Sequence, residues 1–372
     1  MSFKSNFAIH ILMAYIYLAS GLVVNILQML CVPLWYFSFK RTYRRMIGLL
    51  NHLNWCLIPC VAQWWSGMEV YLYARPGEFE KLGTESIIAI LNHRGQLDWV
   101  VSWVVAEYSN ILGMAKCIAK NSIRYIPVMG WSFWMAESVF LKRKIEKDKK
   151  TLEKGFKALA SFKQPYWFLI FCEGTRFTPE RHQKSIEFER KNGLKPLKHL
   201  LQPKTKGFVL TTQGLRNNVD YIYDAAVCFH GDTEPTLMDM LNGKPCKADF
   251  LVRRTPISEV PVDDDECAEY LRDLYQDKDE LCEYHKHHDT FPIDGQNPKY
   301  SDYERRKIEN NMLSFTIAIT WAVVLLVPLF YYAYMTIVWG TLFQKGMFTF
   351  AVLIVSVVFQ VMLKAGKPKG AK

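Results

Sequence analysis

Charge is missing from three long stretches of the chain, residues 5–39, 310–344 and 346–363, which contain no Asp, Glu, Lys or Arg. A helix needs about 20 apolar residues to cross a hydrocarbon core. The stretches therefore predict an N-terminal membrane anchor over residues 1–39 and two C-terminal transmembrane helices with a basic tail over 311–372. The first is far longer than the apolar region of about 7–15 residues in a signal peptide, and no A-x-A site follows it, so it reads as a retained anchor. A fourth uncharged run, 46–68, is interrupted by Asn51, His52, Asn54 and Gln63 and ends in Trp64 and Trp65. Polar residues inside and tryptophans at the end predict an interfacial or re-entrant helical segment over 40–75.

Between these segments, residues 76–275 alternate short apolar runs with longer amphipathic ones, the pattern of an α/β domain. Strands are predicted at Ile87–Leu91, Trp167–Phe171, Tyr221–Phe229 and Phe250–Val252. Leu152, Phe156, Leu159 and Phe162 recur at helical spacing among lysines. Residues 276–310, with Pro292, Gly295 and Pro298, read as a polar linker to the C-terminal helices.

Half of the 372 residues are hydrophobic and 22% are charged, which excludes a disordered or collagen-like chain. The net charge is +10, and its placement changes the picture. Lys4, Lys40, Arg41, Arg44 and Arg45 lie in the first 45 residues, and Lys345, Lys364, Lys367, Lys369 and Lys372 beyond residue 310, with no acid in either region. These ten account for the whole excess, so the middle of the chain is balanced. A nucleic-acid binder carries its excess on the folded domain; here it flanks apolar runs, where lysine and arginine meet anionic headgroups. The positive-inside rule puts the segment after the first run, and hence the middle domain, on the cytosolic side. Nine cysteines without a C-x-x-C pair, and no N-x-[ST] sequon, agree with a reduced cytosolic face.

Two segments carry candidate chemistry. After the first predicted strand comes Asn92-His93-Arg94-Gly95-Gln96-Leu97-Asp98-Trp99. Histidine titrates nearest neutrality, and an Asp within reach can fix its tautomer and stabilise the imidazolium, which suits a general base. Positions five apart point about 140° from each other on a helix, so the His belongs in the turn after the strand and the Asp in the first helical turn. By itself the pattern is short, and about half a match to His-x4-Asp is expected by chance. After the second predicted strand comes Cys172-Glu173-Gly174-Thr175-Arg176, with a glycine for close approach, a hydroxyl and a guanidinium fork that can hold a phosphate. Alone, this segment reads more readily as a β-turn with a surface arginine. If the two strands are parallel, both segments share one cleft at the strands' carboxyl ends.

Taken together, the segments resemble the lysophospholipid acyltransferases of the glycerol-phosphate acyltransferase superfamily. That family's Asn-His-x4-Asp motif is matched by Asn92, His93 and Asp98, and its Phe-Pro-Glu-Gly-Thr-Arg motif by Phe171, Glu173, Gly174, Thr175 and Arg176, with Cys172 in place of the proline. Val139 to Arg143 is similar to the second motif, Lys120 through Pro127 and Gly130 to its approach, and Leu200 to Gly207 with Pro203 to the fourth. The resemblance covers about residues 80–260. Lys204 to Phe208 and the C-terminal pair of apolar runs look most like the gamma and delta type 1-acylglycerol-3-phosphate acyltransferases. Arg94 and Trp99 are also similar to lysocardiolipin and lysophosphatidylinositol acyltransferases.

The resemblance implies a membrane-anchored α/β acyltransferase domain with a mixed sheet flanked by helices. It implies that His93, oriented by Asp98, deprotonates the sn-2 hydroxyl of lysophosphatidic acid, which attacks an acyl-CoA thioester to give phosphatidic acid. Lysophosphatidylinositol and lysocardiolipin are the alternative acceptors. Glu173, Gly174, Thr175 and Arg176 would position the acceptor phosphate, with Arg143 as a second phosphate or CoA contact and Asn92, Lys120 and Pro203 as further motif positions. Acyl-CoA enters as co-substrate, without a cofactor, metal or nucleic acid. The bilayer of the endoplasmic reticulum is the expected setting, with the mitochondrial outer membrane as the alternative; protein partners are not readable.

Other readings have less behind them. A serine hydrolase lacks its G-x-S-x-G elbow. His285, His287, His288 and Asp289 sit in the expected linker without cysteine or a helical zinc pair, and read as a solvated loop. Lys367 and Lys369 are one residue off a dilysine signal and read as a membrane flank. A catalytically inactive lipid-binding scaffold would be marked by loss of the His or the Asp, and both are present.

Overall fold

The computed structural model describes residues 3–142, 145–293 and 297–366. Its centre is a mixed eight-stranded sheet in the order β4-β3-β5-β2-β6-β7-β1-β8. The strands are β1 (Glu69–Ala74), β2 (Ile87–Leu91), β3 (Ala115–Lys120), β4 (Val139–Leu141), β5 (Trp167–Ile170), β6 (Tyr221–Phe229), β7 (Lys247–Pro256) and β8 (Glu304–Lys307). Neighbours from β4 through β6 run parallel, β7 is antiparallel to β6 and parallel to β1, and β8 closes the far edge antiparallel to β1. β2 reads Ile-Ile-Ala-Ile-Leu with four of its five residues buried, as expected of a parallel strand covered on both faces.

Helices cover both faces. Before the sheet come α1 (Phe7–Tyr36), α2 (Lys40–Trp55) and the short α3 (Leu57–Cys60). Within the domain lie α4 (Asp98–Tyr108), α5 (Met129–Met135), α6 (Ile145–Ala160), α7 (Pro179–Lys191), α8 (Thr205–Leu215), α9 (Leu237–Leu241) and α10 (Asp264–His288), and the chain ends with α11 (Met312–Trp339) and α12 (Leu342–Gly366). Because side chains alternate along a strand, Ile87 and Leu91 join Val100, Val104 and Trp55 in one core, while Ile88 and Ile90 join Phe156, Leu159, Phe208 and Tyr275 in the other.

Among the described residues, two helices are long and apolar enough to cross a membrane, Phe7–Tyr36 and Met312–Trp339; Leu342–Val357 is a shorter apolar stretch. The first is more than a greasy rod. One stripe of it buries Ser20, Asn25 and Gln28 against the domain. The Asn25 carboxamide accepts from Val128 N–H at 3.0 Å and donates to Ser132 Oγ at 2.8 Å, and Gln28 donates to Asn51 at 2.6 Å. These bonds hold Val128 at φ 69°, a conformation a β-branched residue rarely adopts.

Two expected boundaries differ from the structure. Residues 40–75 are helical to Trp65, but Glu69–Ala74 form a strand, their apolar residues continuing the sheet beside β7. Residues 276–310 are not a linker. The helix capped by Asp263, whose carboxylate accepts from Asp265 and Glu266 N–H, continues to His288, burying Lys278, Leu281, Cys282 and His285 along one face. Glu304–Lys307 then add β8.

Candidate active site

The β2 and β5 strands are adjacent and parallel, in register from Ile87 opposite Trp167 to Ile90 opposite Ile170. Both candidate segments therefore leave the sheet at the same rim. Asn92 makes the exit from β2: its carboxamide donates to Val227 O at 2.9 Å and accepts from Val227 N–H at 2.8 Å, standing in for a backbone ladder pair to β6. Next, the chain turns, with His93 in the turn and Asp98 as the first residue of α4.

His93 Nδ1 lies 3.1 Å from Asp98 Oδ2. The carboxylate accepts there, so the neutral ring carries its proton on Nδ1 and leaves the Nε2 lone pair for a substrate proton. Asp98 is fully buried, and Gly95 N–H also donates to it, 2.9 Å from Oδ2. Burial raises its carboxyl above the ordinary range, opposed by the His93 hydrogen bond. The His93 ring also packs at 4.4 Å on Phe171, the first residue after β5.

Glu173 ties the second segment to the first, because its Oε1 accepts from His93 N–H at 2.8 Å. It is buried, and that burial pushes its pKa up to about 8, against the pull of the His93 amide and of Lys278. Gly174 follows at φ +69°, and a Cβ there would meet the Lys204 side chain at 3.2 Å. Lys204 arrives by way of the buried Pro203, its N–H donating to Cys172 O at 2.8 Å. Thr175 and Arg176 complete the turn, with Arg181 donating to Arg176 O at 2.9 Å. Burial lowers the Arg176 pKa and Asp98 raises it.

Lys120 ends β3, which pairs with β5 in parallel, so this exposed lysine stands at the same rim. Arg143 lies outside the described residues. Two side chains that local sequence did not single out complete the surroundings. Lys204 was visible only as part of a resemblance. Glu234 had no signal; it pairs with Arg94 at 3.2 Å, would meet a Cβ on Gly95 at 2.9 Å, and is pushed by burial up to about 7.

Behind this rim, on the α4 face of the sheet, lies an apolar cavity lined by Trp55, Leu91, Ser102, Trp103, Phe133, Trp167 and Phe250. Its one charged liner, Lys116, donates to Ala136 O at 2.6 Å, and burial lowers its pKa to about 7. The arrangement thus joins an oriented imidazole, a turn able to hold an anion and an apolar recess.

Comparison with known proteins agrees with these features. The Acyltransferase family profile matches residues 76–208, and the profile of the Acyltransferase C-terminus matches 239–321. The chain is 39% identical over 289 residues to the 1-acyl-sn-glycerol-3-phosphate acyltransferase delta of Bos taurus, covering 78% of this chain and 76% of that protein. It is 37% identical over 327 residues to the gamma protein of Mus musculus, covering 88% and 84%. Among solved structures, the 1-acyl-sn-glycerophosphate acyltransferase of Thermotoga maritima aligns with a TM-score of 0.40 at 14% identity, over 70% of this chain and 95% of that one. On the strength of its identity to the gamma and delta proteins over most of its length, the chain belongs to the 1-acyl-sn-glycerol-3-phosphate acyltransferase family.

Proposed function

We propose that the protein transfers an acyl chain from acyl-CoA to the sn-2 hydroxyl of lysophosphatidic acid, giving phosphatidic acid and free CoA. The observation that carries the mechanism is the 3.1 Å contact between His93 Nδ1 and Asp98 Oδ2 at the rim that also bears the Glu173–Arg176 turn. His93 Nε2 takes the proton of the acceptor hydroxyl as its oxygen attacks the thioester carbonyl, and Asp98 stabilises the imidazolium. The carbon–sulfur bond then breaks, and the thiolate leaves with a proton. General base catalysis of this kind contributes about 10² to 10⁴ in rate.

Gly174, Thr175 and Arg176 bind the acceptor phosphate, with Lys120 and Lys204 adding positive charge at the rim. Glu173 holds the two turns together. The apolar recess takes the acyl chain of the donor, and the reaction needs only thioester and hydroxyl, with no cofactor. The domain faces the cytosol from the membrane of the endoplasmic reticulum, with the chain crossing the bilayer more than once.

The test is to supply membranes containing the wild type and the His93→Ala variant with oleoyl-CoA and a panel of lysophospholipids, following thiol release and diacyl product together. Phosphatidic acid that forms with the wild type and not with the variant supports the reading. Preference for lysophosphatidylinositol or lysocardiolipin would reassign the acceptor; thiol release without diacyl product would make the protein a thioesterase.

A further inference from the structure

Three residues far apart in sequence meet where β6 ends. His230 follows β6, Asp249 is the third residue of β7, and His285 stands in the last turn of α10. His230 Nε2 is 3.1 Å, and His285 Nε2 3.0 Å, from the same Asp249 Oδ2. All three donor atoms lie within 4.8 Å of one another. Zinc holds nitrogen and oxygen ligands at about 2.0–2.2 Å in a tetrahedron, which sets neighbouring donors about 3.4 Å apart. Both nitrogen–oxygen distances already stand near that spacing.

The surroundings favour a cation. Asp249 is fully buried, and no hydrogen bond within 3.5 Å reaches its Oδ1, with the Tyr73 hydroxyl beside the carboxylate. Arg305 forms a long ion pair with that oxygen, at 3.7 Å, and stacks on Tyr71. Negative potential comes from the C-terminal end of α10, where His285 sits, and from Asp289, whose Oδ1 accepts from Gly231 N–H at 3.0 Å. Phe291 packs 5.2 Å from the His285 ring and makes one wall apolar. His230 alone of the three is partly exposed, 19% of its side chain, so solvent reaches the cluster from its side.

We propose that His230, Asp249 and His285 bind a divalent d-block cation, with zinc the best match to two imidazoles and a carboxylate. Each ring then coordinates through Nε2 and carries its proton on Nδ1. The ion pins the loop after β6 to α10 and β7. That loop carries Glu234, the partner of Arg94 beside the His93 turn, so the metal fixes one wall of the site without touching the reacting atoms. The cluster His285, His287, His288 and Asp289, read from the sequence as a solvated loop, is instead the end of a helix, where His285 faces inward while His287 and His288 are exposed.

The full chain, purified in detergent and stripped with a chelator, is titrated with Co²⁺ and then Zn²⁺. The expected result is one Co²⁺ per chain with the intense visible bands of tetrahedral coordination, displaced by Zn²⁺. His230→Ala removes a ligand and weakens binding by more than the roughly 10–100-fold that loss of an outer-shell partner costs, while His287→Ala and His288→Ala leave it intact. Should His230→Ala fail to fold, zinc-edge X-ray absorption of the loaded wild type decides, with two imidazole nitrogens and one carboxylate oxygen expected. Failure of the wild type to take up Co²⁺, uptake unchanged in folded His230→Ala, or an absorption spectrum without two imidazoles would overturn the proposal.

Discussion

The backbone N–H of His93 donates to Glu173 Oε1 across 2.8 Å, so an acid from the turn after β5 sets the position of the histidine in the turn after β2. Two turns that are 80 residues apart in sequence are held as one object through this bond. A carboxylate that binds an amide in this way contributes geometry before charge, and the first prediction separates the two.

Glu173→Gln keeps an oxygen for the His93 amide; Glu173→Ala leaves that amide without its acceptor. An orphaned buried N–H costs about 1–3 kcal/mol. Thermal unfolding in detergent at about pH 4.5, where the folded chain keeps the Glu173 proton, is expected to show the alanine variant well below the wild type and the glutamine variant close to it. Acylation, read as kcat/KM, should follow the same order.

The buried Glu173 also gives stability a pH dependence with a definite sign. Its pKa is about 8 when folded, against an ordinary 4.5, so between these values the folded chain holds a proton that the unfolded chain has lost. Its contribution is therefore fully present below about pH 4.5 and is lost as pH rises towards 8. Unfolding temperatures of the wild type measured across that window should fall relative to those of Glu173→Gln, and the gap should stop widening above about pH 8.

Asp98→Asn retains the size of the side chain but removes the negative charge opposite Nδ1. The prediction is a fall in kcat of about 10² to 10⁴ with little change in KM for either substrate, since the aspartate orients the base and does not touch the acceptor. A fall confined to KM would remove Asp98 from the catalytic step.

Gly174→Ala places a Cβ at φ +69° and 3.2 Å from the Lys204 side chain. The left-handed conformation alone costs about 1–2 kcal/mol for a residue with a Cβ. A raised KM for lysophosphatidic acid is expected, with KM for acyl-CoA moving less, because the shifted turn is the one assigned to the acceptor phosphate. Steady-state kinetics with each substrate varied in turn will distinguish the two.

Asn25→Leu removes the hydrogen bonds that join α1 to the backbone of Val128 and to the Ser132 hydroxyl. Val128 then keeps its positive φ without support, and its buried N–H is left unpaired at a cost of about 1–3 kcal/mol. The variant should insert into membranes as the wild type does and yet be extracted with a lower unfolding temperature.

Sequence pattern made the centre of the molecule legible and its edges not. β2 and β5 are short apolar runs bounded by polar residues, β6 is a longer one interrupted by Asp224, and the chemistry after the first two sits in contiguous motifs. By contrast, β8 reads Glu-Arg-Arg-Lys, with no apolar alternation at all, because an edge strand is guarded by charge: Lys307 pairs with Glu69 at 2.5 Å and Arg306 with Glu80 at 3.2 Å. β3, Ala-Lys-Cys-Ile-Ala-Lys, buries a lysine that pattern assigns to solvent; Lys116 is accommodated by a carbonyl and by the Phe162 ring at 4.2 Å. The binding stripe of α1 is hidden in an uncharged run where Ser20, Asn25 and Gln28 are only minor polar interruptions. His230, Asp249 and His285 carry no local spacing, since three separate elements bring them together.

Only four residues separate Lys307, the end of the sheet's last strand, from Met312, the start of a membrane-length helix. On the same side of the domain, Ser314 of that helix hydrogen-bonds Glu107 of α4, the helix that begins with Asp98. So short a tether leaves the domain no freedom to tumble away from the bilayer. The acceptor lipid is then met in two dimensions, at its surface density. Turnover should scale with the mole fraction of lysophospholipid in the bilayer and stay constant when membranes of fixed composition are diluted in buffer with acyl-CoA held constant.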